Sequence, residues 1–349
     1  MFKFYPEDRA KFHFGDSGGK LKEMFSSDQL FSALYNCIVL MYGSDKEKNA
    51  LLESIHQSTI SSLYHGFQFL NLDNGERKEL FFLPRPSAPI DPGEKKEDLL
   101  KEKKRKKIKY ISMEAFRILR ESWNEEGKYF DFELLDLEIL GGKYACTAKE
   151  IQSLMIDSTF LEKSKFFNVE VRPKVAVSRF NSYSENLYHQ KEMEIIYQKA
   201  GNYVICPFMY FLYQGDANDQ LTAAVRLMAD EGLGGRRTQG MGFLGEVVEA
   251  ECSDELFAGD SSHYMSLSSV FPKHSEVDKI TYYELEERSG YIYSGYGRAL
   301  RKKRLRLLKE GSVFSGKISG QIVDIRPDGF KEHEVYLNGK AFLIPIGGV

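Results

Sequence analysis

The residues best suited to chemistry are two adjacent arginines, Arg236 and Arg237. They sit in the stretch E-G-L-G-G-R-R-T-Q-G-M-G-F-L-G, Glu231 to Gly245, among Gly232, Gly234, Gly235, Gly240, Gly242 and Gly245. Glycines this dense let a backbone turn through positive φ and let another backbone approach closely. Paired guanidinium groups offer forked donors that match phosphate oxygens, and Thr238 and Gln239 add neutral hydrogen-bonding groups. The chemistry suggested is the cradling of an anionic backbone. Upstream, Leu221, Ala224, Val225 and Met228 stand at helical spacing, which predicts a helix over about 219–231. Downstream, 243–252 reads as a strand. The order is therefore helix, loop, strand, whereas a Walker loop or a dinucleotide fingerprint needs strand, loop, helix. The letters fail as well, because Met241 stands where a Walker lysine would follow Gly240, and Arg237 where a third fingerprint glycine would fall. An NTPase and a dinucleotide enzyme are set aside.

A second candidate is His13, in K-F-H-F-G at 11–15. Phe12 and Phe14 alternate with Lys11 and His13, so a strand would bury the rings and expose the polar pair beside Gly15. A histidine so placed lines a groove or serves as a general base, and no partner for it is evident. A third is a polar hairpin over 171–190 carrying Arg172, Lys174 and Arg179, with Phe180 and Tyr183 available to stack on bases or on one another. Two basic runs remain. Lys101 to Lys109 holds seven cations, and 298–309 is similar; each reads first as a solvated helix face. Asp131, Glu133, Asp136 and Glu138 alternate only partly and form no two-metal set. Cys37, Cys146, Cys206 and Cys252 are scattered, without zinc spacing or a disulfide pattern. No metal and no cofactor is expected.

Length and charge bound the rest. The chain has 349 residues and a net charge of −3, with 25 Phe and 20 Tyr. The length suggests two domains, the aromatics suit a sheet-rich fold, and nucleic-acid binding would have to come from local patches. No apolar signal core and no membrane span is read, so a cytoplasmic protein is expected. The positioning elements follow in order. A helix starts at Ser26-Ser27-Asp28-Gln29 and buries Leu30, Phe31, Leu34, Ile38 and Met41, with its start first of all a cap and secondarily a phosphate seat. A helix at about 49–62 precedes strands at 67–70 and 80–83. A highly charged segment spans 94–109, a helix 111–123, and a strongly apolar strand 203–213. Beyond a boundary near 253–262 come a strand at 264–271, a hairpin turning at Arg288-Ser289-Gly290, and strands at 320–326 and 334–345 with turns at Asp328-Gly329 and Asn338-Gly339.

The first part thus reads β-α-β, insertions, β-α-β, with the glycine loop between the last helix and the last strand. That plan is ferredoxin-like, and the loop in that position resembles the signature loop of the RAMP superfamily of CRISPR-associated RNA-binding proteins. Three further stretches narrow the resemblance: K-F-H-F-G with S-S-D-Q-L-F-S-A-L at 26–34, R-P-K-V-A-V-S-R-F with N-L-Y at 172–188, and Y-L-N-G-K-A-F at 336–342. Together with the loop they resemble the subunit family that sits at the 5′ end of the guide RNA in type III-A CRISPR effectors, the Csm complexes. Ser178 stands where that family often has Asp before the hairpin arginine.

The resemblance implies an α+β chain of two ferredoxin-like (RRM-like) βαββαβ domains, at 1–252 and 253–349. The first would carry the lysine-rich insertion at 94–109, the projecting hairpin at 171–190 and the glycine loop. It implies a non-catalytic subunit that binds the 5′ tag of crRNA and touches the large polymerase-like subunit and the adjacent RAMP backbone subunit, with no membrane contact. By position, Gly234, Gly235, Arg236, Arg237, Thr238, Gln239, Gly240 and Gly242 would cradle the tag. Lys11, His13 and Gly15 would line its groove, and Arg172, Lys174 and Arg179 would press between nucleotides. The alternative is a metal-independent RAMP endoribonuclease that processes pre-crRNA with His13 as general acid or base. A third reading has the loop bind protein.

Overall fold

The structure, a computed structural model, describes the chain except residues 16–20, 42–44, 92–98, 179, 181–182, 253–254, 293–299 and 348–349. Its frame is a sheet in which Glu246–Glu249, Phe2–Tyr5, Tyr203–Phe211 and Tyr64–Asn71 lie side by side, all antiparallel. With helix Ser27–Met41 after the first strand and helix Asp219–Glu231 before the last, chain order is β-α-β-β-α-β and spatial order is fourth, first, third, second. The sheet continues through Arg77–Pro84, Tyr110–Ser112, Tyr144–Cys146 and Glu138–Leu140.

Alternation along Tyr203–Phe211 sorts two cores. Met209 and Phe211 face the helices, where Phe2, Phe4, Leu30, Phe31, Leu34, Ile38, Leu221, Ala224, Val225 and Met228 are buried. A buried Leu, Ile or Phe of this kind contributes about 1.5–3 kcal/mol relative to exposure. Phe208 and Tyr210 face the other side and share a core with Met265, Leu267, Val313, Phe342, Ile344 and Ile346. The expected boundary near 253 therefore does not separate two cores. Nor do the described residues of 253–349 form a second βαββαβ unit. Among them there is no α-helix, only strands and short 3-10 turns, with His263–Ser266 central in a four-stranded sheet.

Several local expectations change, some of them through the pairing of distant strands. The first strand of the frame is Phe2–Tyr5, whereas Lys11–Phe12 pairs with the far end of Ser184–Ile195. Helix Asp45–Gln57 starts and ends earlier than expected, and the strand after the glycine loop shortens to Glu246–Glu249. Within the charged insertion, Leu99–Lys107 is a helix. The described part of the second basic run, 300–309, holds no helix: Leu305–Leu308 pairs with Leu285–Arg288, so Arg288 ends a strand where a turn was expected. Asn338-Gly339 lies inside strand Tyr336–Lys340, where a Cβ on Gly339 would fall 2.3 Å from the Phe271 Cβ. Close approach, not a turn, explains that glycine.

The start of helix Ser27–Met41 is closed to a phosphate. Ser26, Ser27 and Asp28 are buried, and Asp28 accepts from Arg288 Nε at 2.8 Å and Nη2 at 3.1 Å. Burial opposes the charge on Arg288, but Asp28, with Glu286 and Glu310 behind it, more than offsets this and holds the guanidinium above its ordinary pKa. The pair ties the first helix to the second half. No helix among the described residues is long and apolar enough to cross a membrane.

Candidate nucleic-acid interface

The glycine loop is built by its own backbone. Asn218 caps helix Asp219–Glu231 by accepting from Leu221 N at 2.9 Å, and Gly232 ends the helix at φ 80°. The chain then doubles back. Leu233 N donates to Gly242 O at 2.9 Å, Gly235 N to His13 O at 2.9 Å, and Gly242 N to Lys11 O at 2.8 Å. These bonds zip the loop base, with Gly234 half-buried in it, onto the segment Lys11–Phe14, whose rings Phe12 and Phe14 are buried. The tip is left outside. Arg236, Arg237, Thr238, Gln239 and Gly240 are all exposed, Arg237–Gln239 forms one 3-10 turn, and Arg236 takes a left-handed φ of 63°. That conformation costs a non-glycine residue about 1–2 kcal/mol, and such strain collects at functional sites.

The ribbon that faces this loop consists of Phe167–Val177 paired antiparallel with Ser184–Ile195. It is longer than expected, and Met193 and Ile195 anchor its base in the helix-side core. Register places Arg172 opposite Gln190 and Lys174 opposite Tyr188. This polar face meets the loop. Lys174 Nζ lies 3.5 Å from Gln239 Oε1, Arg236 Cζ lies 5.9 Å above the Tyr188 ring, and Gln190 Nε2 lies 3.7 Å from Met241 Sδ. Phe180 and Tyr183, near the far end of the ribbon, are exposed. Arg179 lies outside the described residues.

One carboxylate organises the cations. Glu192, 3% exposed, lies 3.1 Å from Lys174 Nζ, 3.6 Å from Lys11 Nζ and 3.6 Å from Arg172 Nε. Arg172 also pairs with Glu170 at 2.9 Å, and Arg237 with Glu231 at 3.7 Å. Five cations, Lys11, Arg172, Lys174, Arg236 and Arg237, thus face three carboxylates across one surface. His13 Nδ1 lies 2.8 Å from Lys191 O. A carbonyl only accepts, so Nδ1 carries the proton, and in the neutral ring Nε2 is the acceptor. Gly15 stands half-buried beside that ring and bridges Leu21.

The structure therefore brings together Lys11, His13, Gly15, Arg172, Lys174 and the whole glycine loop, from three distant parts of the chain. The residues that sequence reasoning missed are Glu192 and Tyr188. Their signal is alternation, Tyr188-His189-Gln190-Lys191-Glu192, but only the hairpin register shows which cations they meet. Elsewhere, Glu133 of the acidic set is spent on Arg105, whose Nε donates to it at 3.0 Å. Among the described residues no three His, Cys, Asp or Glu side chains gather as metal ligands.

Residues 259–346 match the CRISPR Csm4 C-terminal domain family. A Methanocaldococcus jannaschii protein, "CRISPR system Cms protein Csm4", is 28% identical over 389 aligned positions, covering 99% of this chain and 97% of that one. A Streptococcus thermophilus protein of the same name is 32% identical over 120 residues, 32% of this chain and 40% of the relative. In fold, the chain superposes with TM-score 0.64 and 23% identity on a chain of the Csm3–Csm4 subcomplex of the type III-A CRISPR-Cas interference complex, covering 99% and 98% of the two. A chain of the Csm1–Csm4 cassette crystallised with cA4 gives TM-score 0.54 at 17% identity, covering 99% and 96%. The fold shared with these chains is α+β. In sequence, the chain is similar to a protein named Csm4 over 99% of its length.

Proposed function

We propose that this chain is a non-catalytic subunit of a type III-A CRISPR effector that binds the 5′ tag of crRNA. The observation that carries the reading is the convergence of an exposed, strained arginine loop with Lys11, His13, Arg172 and Lys174 on one surface. Backbone N–H groups and cations would hold the phosphates, and splayed bases would be read beside the ribbon. Tyr188, exposed beside Arg236, offers a ring for stacking. The β-α-β-β-α-β order of the frame supports a ferredoxin-like plan of the RAMP kind. The relatives crystallised with Csm3 and with Csm1 support two protein partners, a RAMP backbone neighbour and the large polymerase-like subunit, so that the chain links them in cytoplasmic antiviral defence.

The test is binding of a labelled 5′-tag RNA to wild type and to R236A/R237A over a salt series. Each lost phosphate contact flattens the slope of log K against log salt by about 0.7 for a single strand. Arg237 already has Glu231 at 3.7 Å, so the double variant should flatten the slope by about 0.7–1.4. An unchanged slope with unchanged affinity refutes the loop as the RNA cradle. The acceptor Nε2 of His13 sustains a second reading, metal-independent cleavage of pre-crRNA with His13 as general acid or base.

A further inference from the structure

The carboxylate at the centre of the cationic surface needs a reason. Glu192 is almost wholly buried, and burying a carboxylate is unfavourable unless it is paired and hydrogen-bonded. It stands directly opposite Glu170 in the ribbon register, a like-charge arrangement that works against strand pairing. An apolar residue would serve ribbon stability better. What Glu192 does have is three cations, from the Lys11 segment and the facing strand, and a hydrogen bond from Gln190 Nε2 at 3.1 Å. The carboxylate is buried, whereas the side chains of Lys11, Arg172 and Lys174 keep 29%, 43% and 30% of their exposure. Three cations share one buried anion, so positive charge remains in excess and opens to solvent beside Gln239 of the loop tip.

We propose that Glu192 is a positioning residue for nucleic-acid binding: its carboxylate fixes Lys11, Arg172 and Lys174 in one row beside the glycine loop before any ligand arrives. This inference rests on the RNA-binding reading of the same surface. Long cationic side chains lose rotamer freedom when they grip a phosphate, and ordering them beforehand removes part of that cost. The proposal inverts the ordinary electrostatic expectation. Removing a negative charge from an anion-binding surface should tighten binding; removing this one weakens it.

The experiment compares wild type, E192Q, E192D, E170Q and R236A/R237A as full-length protein. Each is titrated with a labelled 5′-tag RNA, and each is also labelled without RNA by a lysine-acetylating reagent read by mass spectrometry. E192Q should bind RNA about tenfold more weakly, the equivalent of two side chains left to be ordered. E170Q, which removes an exposed carboxylate held by Arg172 alone among those cations, should bind as wild type or tighter. E192D keeps the charge but withdraws it from Lys11 and Arg172, and should fall between. In the RNA-free arm, acetylation of Lys11 and Lys174 should rise in E192Q and not in E170Q. Tighter or unchanged RNA binding by E192Q overturns the proposal, as does unchanged acetylation. If E192Q fails to fold, E192D decides: wild-type affinity and labelling in that variant overturn the proposal. Failure of the RNA-binding reading shows itself separately, as R236A/R237A binding like wild type while Lys11 and Lys174 still become more reactive in E192Q.

Discussion

Gly242 and Gly240 both have positive φ, +93° and +78°, but their surroundings differ. An alanine Cβ at 242 would lie 2.3 Å from the Leu233 carbonyl oxygen and 2.9 Å from its nitrogen, whereas at 240 it would meet nothing within 4 Å. G240A therefore carries only the left-handed strain of a non-glycine residue, about 1–2 kcal/mol. G242A carries the same strain and also displaces backbone. Relief requires breaking both Leu233 N to Gly242 O and Gly242 N to Lys11 O, the bonds that close the loop base. At about 1 kcal/mol net for each bond, G242A should cost roughly 2 kcal/mol more than G240A, a difference of about thirtyfold in an equilibrium constant. The assay is thermal unfolding of both variants together with titration of the labelled tag RNA. G240A should bind within about threefold of wild type, and G242A at least tenfold more weakly. Equal unfolding temperatures and equal affinities for the two variants would refute the claim that the loop base is zipped to Lys11–His13.

The remaining predictions concern histidines. His65 is fully buried, and burial first, then Lys143, holds its pKa down at about 3. Its folded-state pKa lies below the ordinary value of about 6.5, so the unfolded chain takes up the proton first. The stabilisation is complete above pH 6.5 and falls as pH drops towards 3, by up to about 1.4 kcal/mol per pH unit. Unfolding temperature measured from pH 7 to pH 5 should decline for wild type and flatten for H65Q; parallel curves would count against His65 as the titrating group. For His13, repeat RNA incubated with wild type in EDTA should remain intact while still being bound. Site-specific cleavage that H13A abolishes would instead establish the endoribonuclease reading.

Much of the frame was legible because helix and strand periodicities are local. The stripe Leu30, Phe31, Leu34 and Ile38, and its counterpart Leu221, Ala224, Val225 and Met228, are buried as the spacing predicts. Phe12 and Phe14 are buried while Lys11 and His13 stay partly exposed, as alternation requires. The glycine loop was legible for the same reason, since dense glycines between a helix and a strand restrict the backbone to tight turns. In the second half the strands near 264, 320 and 336 and the turn at Asp328-Gly329 were legible, but the fate of the basic run was not. Part of that run, Leu305–Leu308, lies in a strand, because Leu305 and Leu307 alternate against Leu285–Arg288. A single sequence carries no record of that register.

By itself, then, the sequence determined the apolar stripes, the glycine loop and the supply of cations, all properties of neighbouring residues and of the periods 2 and 3.6. The tertiary structure alone decided that Phe2–Tyr5 and not Lys11–Phe14 starts the frame, that Asp28 spends its charge on Arg288, and that Glu192 gathers Lys11, Arg172 and Lys174. Each of these depends on which distant strands pair and in what register. That choice rests on the burial of whole faces, which no local pattern encodes.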